Sequence, residues 1–166
     1  MLTSHELIGF MSPPLALEIL TYAYESDKQL YRAVLAAVAE ARKVRPVFLE
    51  RQPRAQRHTA MLGTLARPAL EMVTGNLIRT WLLKKYNTML VDFLDALAIT
   101  HKEGVVENLP ASMDEAKLRS AVEILLAKYP PEVVAVYLNA FNDMNEVEWP
   151  NLKTLLETEK RLQLGG

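Results

Sequence analysis

Apolar residues recur along this chain at steps of three and four almost without interruption. Leu15, Ile19 and Tyr22 share one helical face, as do Leu30, Val34, Val38 and Ala41. The spacing continues through Leu70, Val73, Leu77 and Trp81, then Leu90, Phe93, Leu94 and Leu97. It resumes at Leu118, Val122, Leu125 and Tyr129, and again at Val133, Tyr137, Phe141 and Met144. That period puts one face of each helix into a core. No stretch alternates apolar and polar residues long enough to make a strand. The pattern therefore predicts an all-α protein of about eight helices. They would form antiparallel hairpins packed as a bundle or a short solenoid-like array.

Helix punctuation places the boundaries. Ser12 precedes Pro13, a proline at the first helical position, where its missing N–H costs nothing. Ser112-Met113-Asp114-Glu115 has the form of a capping box, and Ser4 and Ser26 also fall where helices should begin. Prolines at 46, 53, 68, 130, 131 and 150 mark further starts or breaks. The expected helices are 13–25, 27–44, 54–66, 68–86, 88–99, 113–129, 131–143 and 150–162, with a short one at 4–10 and a turn at 46–52. Thr100 to Ala111 is the one long loop.

Two segments resemble each other. Leu82-Leu83-Lys84-Lys85-Tyr86 matches Leu125-Leu126-Ala127-Lys128-Tyr129, and Phe93-Leu94-Asp95-Ala96-Leu97 matches Tyr137-Leu138-Asn139-Ala140-Phe141. An offset in the range of ~40–47 residues is the length of a two-helix solenoid unit. Any two leucine-rich helices would also look alike, and a compact bundle explains the same data.

Composition narrows the class. With 166 residues, half of them apolar, the chain is long enough to bury a core as a single domain over 1–166. It has no cysteine, so disulfides, thiolate chemistry and cysteine metal sites are excluded, which fits a reducing cytoplasmic setting. The longest apolar run, Ala33 to Ala39, falls far short of the ~20 residues that span a bilayer. The first residues lack the basic and apolar regions of a signal peptide. No membrane association is expected.

Charge changes the picture more than composition does. Residues 1–86 carry a net +5 and residues 87–166 a net −6, within an overall −1. This basic half and acidic half could attract an anionic partner, or another copy of the chain. The basic excess is densest at Arg42, Lys43, Arg45, Arg51, Arg54 and Arg57, with His58 following and Glu50 the one acid among them. Val44, Val47, Phe48 and Leu49 are interleaved with these cations, so one side could anchor while guanidiniums project. Arginine forks match phosphate and carboxylate oxygens in bidentate fashion. Three readings of the segment stay open: contact with a nucleic-acid or other phosphate ligand, pairing with acidic groups of this or another chain, and a solvated face. A sequence pI of about 6.3, and no helix-turn-helix or stacking signature, weigh against nucleic acid.

Candidate chemistry is sparse. His5-Glu6 begins like a zinc-protease helix, but Gly9 stands where the second histidine is needed. Asp92 and Asp95 share a helical face, a pair that reads better as an acidic edge than as a cation site. The serines fall mainly at helix starts, and the glycines form no phosphate loop; Gly63 and Gly75, inside predicted helices, suggest close helix packing. No metal, cofactor or catalytic residue is assigned. The leading expectation is a non-enzymatic module for protein–protein interaction or self-association. Behind it stand a nucleic-acid or phospholigand binder using 42–57, and an enzyme whose site is assembled across helices. Trp81, Tyr86, Tyr137, Phe141 and Trp149 are the aromatics whose exposure would matter, though each suits a core equally well.

Overall fold

The computed structural model describes residues 1–165. Among these there are ten α-helices and no strand. They are α1 (Ser4–Phe10), α2 (Pro13–Ser26), α3 (Lys28–Ala41), α4 (Pro46–Glu50), α5 (Arg54–Leu65), α6 (Glu71–Lys85), α7 (Asn87–Ala96), α8 (Glu115–Lys128), α9 (Pro131–Asn145) and α10 (Pro150–Thr158). Single 3-10 turns follow at Pro68–Leu70 and Lys160–Leu162. The all-α expectation holds. Helices 27–44 and 88–99 end earlier than expected, at Ala41 and Ala96, and other spans differ in kind. The expected turn at 46–52 contains α4, because Pro46 pre-sets the first helical φ and Leu49 has a core to enter. The expected helix 68–86 opens as a 3-10 turn, and the one at 150–162 closes as one.

The chain folds as two compact units. The first is residues 2–81 with Gly165, and the second is Met1 with residues 82–164. Their side chains carry net charges of +3 and −4. The division falls after Trp81, inside α6 and close to the charge boundary at 86/87.

In the N-terminal unit α2 packs on α3, and α1, α2 and α3 all pack on α5. The shared core is built from Leu7, Ile19, Leu20, Val34, Val38, Met61 and Leu65, of which the spacing marks Ile19, Val34 and Val38. Ser12 caps α2 as expected, its Oγ accepting the Leu15 N–H at 3.4 Å. Ser26 caps nothing: it ends α2, and Asp27 caps α3 by accepting the Leu30 N–H at 3.0 Å. The start of α1 is satisfied partly by its own Glu6, which accepts the Thr3 N–H at 3.3 Å, and partly from outside the helix. The Glu71 carboxylate accepts the Ser4 and His5 backbone N–H groups at 2.7 and 2.8 Å, and lies 2.5 Å from His5 Nδ1. Burial raises the Glu71 pKa, but the bonds from His5 and Ser4 together outweigh it and hold the carboxyl below its usual range. The close approach expected at the two helical glycines occurs at one of them. A Cβ on Gly75 would lie 3.1 Å from Ser4 Oγ, whereas one on Gly63 would meet nothing.

In the C-terminal unit α7 packs on α8, α8 on α9, and α9 on α10. Phe93, Tyr137, Phe141 and Trp149 form a chain of ring contacts through its core, with centroids 4.9 to 5.9 Å apart. The α8 cap is Asp114, which accepts the Lys117 N–H at 3.0 Å, so the helix starts two residues later than a Ser112 box requires. The two similar segments share a burial pattern. Leu82 and Leu125 are buried, Leu83 and Leu126 half-buried, Lys85 and Lys128 exposed. They part at Asp95, which is exposed, and Asn139, which is buried. No helix among the described residues is long and apolar enough to cross a membrane.

Candidate interaction surface

The basic segment folds as a corner of the N-terminal unit, running from the end of α3 through α4 into α5. Its first turn is a helix-ending motif. Lys43 N–H donates to Glu40 O and Val44 N–H to Ala39 O, both at 3.0 Å, and Lys43 has φ 57°. Glycine is the usual residue at that left-handed position, because a Cβ strains it. Here a lysine occupies it, which aims the chain outward at the corner.

Beyond Lys43, almost every side chain up to Gln56 faces solvent. Arg42, Lys43, Arg45, Arg51 and Arg54 are exposed. Among the described residues, none of these five makes a salt bridge with an acid of its own chain. The apolar residues between them do not anchor the segment as expected. Leu49 alone is buried, at 2% exposure, while Val44, Val47 and Phe48 stand at 40%, 40% and 56%. An α4 of five residues cannot turn Val47, Phe48 and Leu49 all inward. One enters the core and the others are presented beside the cations.

Arg57 and His58, grouped with these cations by sequence, lie underneath them. Both are buried. The Arg57 guanidinium sits 5.8 and 6.0 Å from the Tyr24 and Tyr31 ring centres, and its Nη1 donates to Glu50 O at 3.1 Å. That bond ties the C-terminal carbonyl of α4 to α5. Arg54 covers Tyr24 from outside at 5.1 Å. His58 Nε2 lies 2.9 Å from the Tyr31 hydroxyl, and the rings of Tyr24, Tyr31 and His58 are 5.1 to 5.6 Å apart. Burial, then the charges of Arg57 and Arg54, lower the His58 pKa to about 4. The imidazole is neutral near pH 7. This knot of aromatic and cationic groups joins α2, α3 and α5 beneath the exposed corner.

Asp92, Asp95 and His101 are engaged locally. Asp92 accepts from the Tyr129 hydroxyl at 2.6 Å and from Lys128 at 3.0 Å, while Asp95 lies 2.6 Å from His101 Nε2. The two carboxylates therefore turn to different partners. His101 Nδ1 accepts the Gly104 N–H at 3.0 Å, so Nε2 carries the proton given to Asp95. Among the described residues no three acids and histidines gather where a metal could bind. Of the five aromatics singled out by sequence, Trp81, Tyr137, Phe141 and Trp149 are buried and Tyr86 is half-buried. The exposed aromatics are Phe48 and Phe10. One sequence signal could have pointed to Phe48: it lies between Pro46 and Pro53, in a segment too short to bury a full face.

No protein family, curated protein or solved structure matches this chain. The functional reading therefore rests on the geometry of the corner.

Proposed function

We propose that this chain is a non-enzymatic interaction module that docks an acidic protein surface on the corner formed by α3, α4 and α5. The observation that carries this is the coincidence of four exposed cations without a salt bridge in the chain, Arg42, Lys43, Arg45 and Arg51, with exposed Val44, Val47 and Phe48. Opposed charge supplies orientation and on-rate, and a desolvated aromatic anchor supplies most of the affinity. The projecting phenyl and valines favour a protein over a phosphate backbone, which rewards cations but not aliphatic groups. A cysteine-free chain suits such a role in the cytoplasm.

The test is a titration of the full chain by fluorescence anisotropy with two probes. One is a synthetic acidic amphipathic helix with glutamate on one face and leucine on the other; the second is a short DNA duplex of matched charge. The peptide is expected to bind, with Phe48→Ala weakening it about tenfold and salt weakening it further. Binding of the duplex in preference to the peptide would transfer the corner to the nucleic-acid reading. Indifference to both probes would overturn docking at this surface.

A further inference from the structure

The acidic unit of the same chain carries a hollow of complementary character. Residues 100–108 line an open hollow of about 600 Å³, with Glu103, Val105 and Glu107 in its wall beside Thr100, His101, Lys102 and Asn108. Val105 is 63% exposed there. The loop is tied down rather than loose. Lys102 and Val105 exchange two backbone hydrogen bonds at 2.9 and 3.0 Å, and Asn87 Nδ2 donates to Glu103 O at 2.9 Å. His101 joins Asp95 to the Gly104 N–H, and Trp149 Nε1 donates to Pro110 O at 2.9 Å at the far end. Glu103 and Gly104 take successive positive φ angles of 53° and 88°. A Cβ at position 104 would meet Asn87 Nδ2 at 3.1 Å, so glycine is required for that turn. The ties hold Val105 and two carboxylates in place before any partner arrives, which cuts the ordering cost of binding.

We infer that the partner of the basic corner is this loop on a second copy of the chain, with Phe48 of one copy seated in the 100–108 hollow of the next. The inference rests on the docking role proposed above. The hollow has room for a phenyl ring together with Val47. Glu103 and Glu107 would face Arg45 and Arg51, and the one cation of the wall, Lys102, leaves the lining net acidic. The full units differ in the same sense, +3 against −4. Donor and acceptor lie on different units, so every copy offers both. Contacts of that heterologous kind close into a ring or continue as a chain.

Light scattering on a sizing column reads the outcome. The wild-type chain is expected above its monomer mass of 18.7 kDa at low salt and to fall toward it as salt rises. A donor variant, Phe48→Glu, and an acceptor variant, Glu103→Lys with Glu107→Lys, should each run as monomers. Mixed in equal amounts, they keep one intact donor and one intact acceptor, and should form a dimer that grows no further. All three positions are exposed, and circular dichroism checks folding; should the double variant misfold, Val105→Asp replaces it. A wild-type monomer at every salt and protein concentration would overturn the inference. So would variants that still associate, or a mixture that stays monomeric. A monomer that binds the acidic peptide would retain the docking role and assign the corner to a different protein.

Discussion

His58 is 1% exposed, beside two tyrosines and two guanidiniums, and its folded pKa of about 4 lies well below the ~6.5 of an unfolded histidine. The unfolded chain thus takes up this proton first. The stabilisation from keeping His58 neutral is complete above ~6.5 and is lost as pH falls from there to about 4. A difference of that size corresponds to about 3 kcal/mol. The expected outcome is a melting temperature that declines across this window in the wild type and more gently in His58→Gln. The depressed Glu71 carboxyl also loses stability on acidification, but it is common to both proteins and drops out of the comparison. Lys43 gives a second residue-level prediction. Its left-handed φ of 57° ends α3 where glycine would be relaxed, so Lys43→Gly should add about 0.5–1 kcal/mol by urea unfolding. Removing a cation from the corner should at the same time slow association with an acidic probe.

At the scale of the element, α4 is the informative case. Five residues make too few hydrogen bonds to hold a helix alone. Leu49 in the core and the Arg57 bond to Glu50 O hold it in place, so Arg57 acts on the surface by positioning α4. Arg57→Met keeps much of the packing volume and removes the bond. Amide exchange at residues 48–52 should then speed up more than exchange in α3, and peptide binding should weaken although the exposed cations are intact. Equal loss throughout the N-terminal unit would indicate a purely structural arginine. The long helices were legible because each repeats its apolar spacing over three or four turns, as Leu30, Val34 and Val38 do. A single turn such as α4 has no period to read. The α8 cap was misplaced for a related reason: Ser112 and Asp114 both lie before Glu115, and only the backbone selects between two competent caps.

Over the whole molecule, the charge sorting seen in the sequence nearly coincides with the division into two compact units. The basic segment was legible as a cluster, but its layering was not. Sequence spacing put Arg57 and His58 with Arg51 and Arg54; the fold moves the first two under Tyr24 and Tyr31 and leaves the others in water. The loop from Thr100 to Ala111 is legible as a long connector, but nothing in its sequence signals that it lines a hollow. Such a hollow depends on ties between residues far apart in the chain, among them Asn87 with Glu103 and Trp149 with Pro110.

The sequence by itself determined the helical class, the inward faces of the long helices and the net charge of each half, because these follow from local periodicity and from counting. Tertiary structure decided which cations are exposed, which apolar residues of the corner stay in solvent, and where Glu103 and Glu107 line a hollow. Those are properties of packing. A side chain is buried or presented according to neighbours brought in from other helices, and no local pattern of residues encodes their arrival.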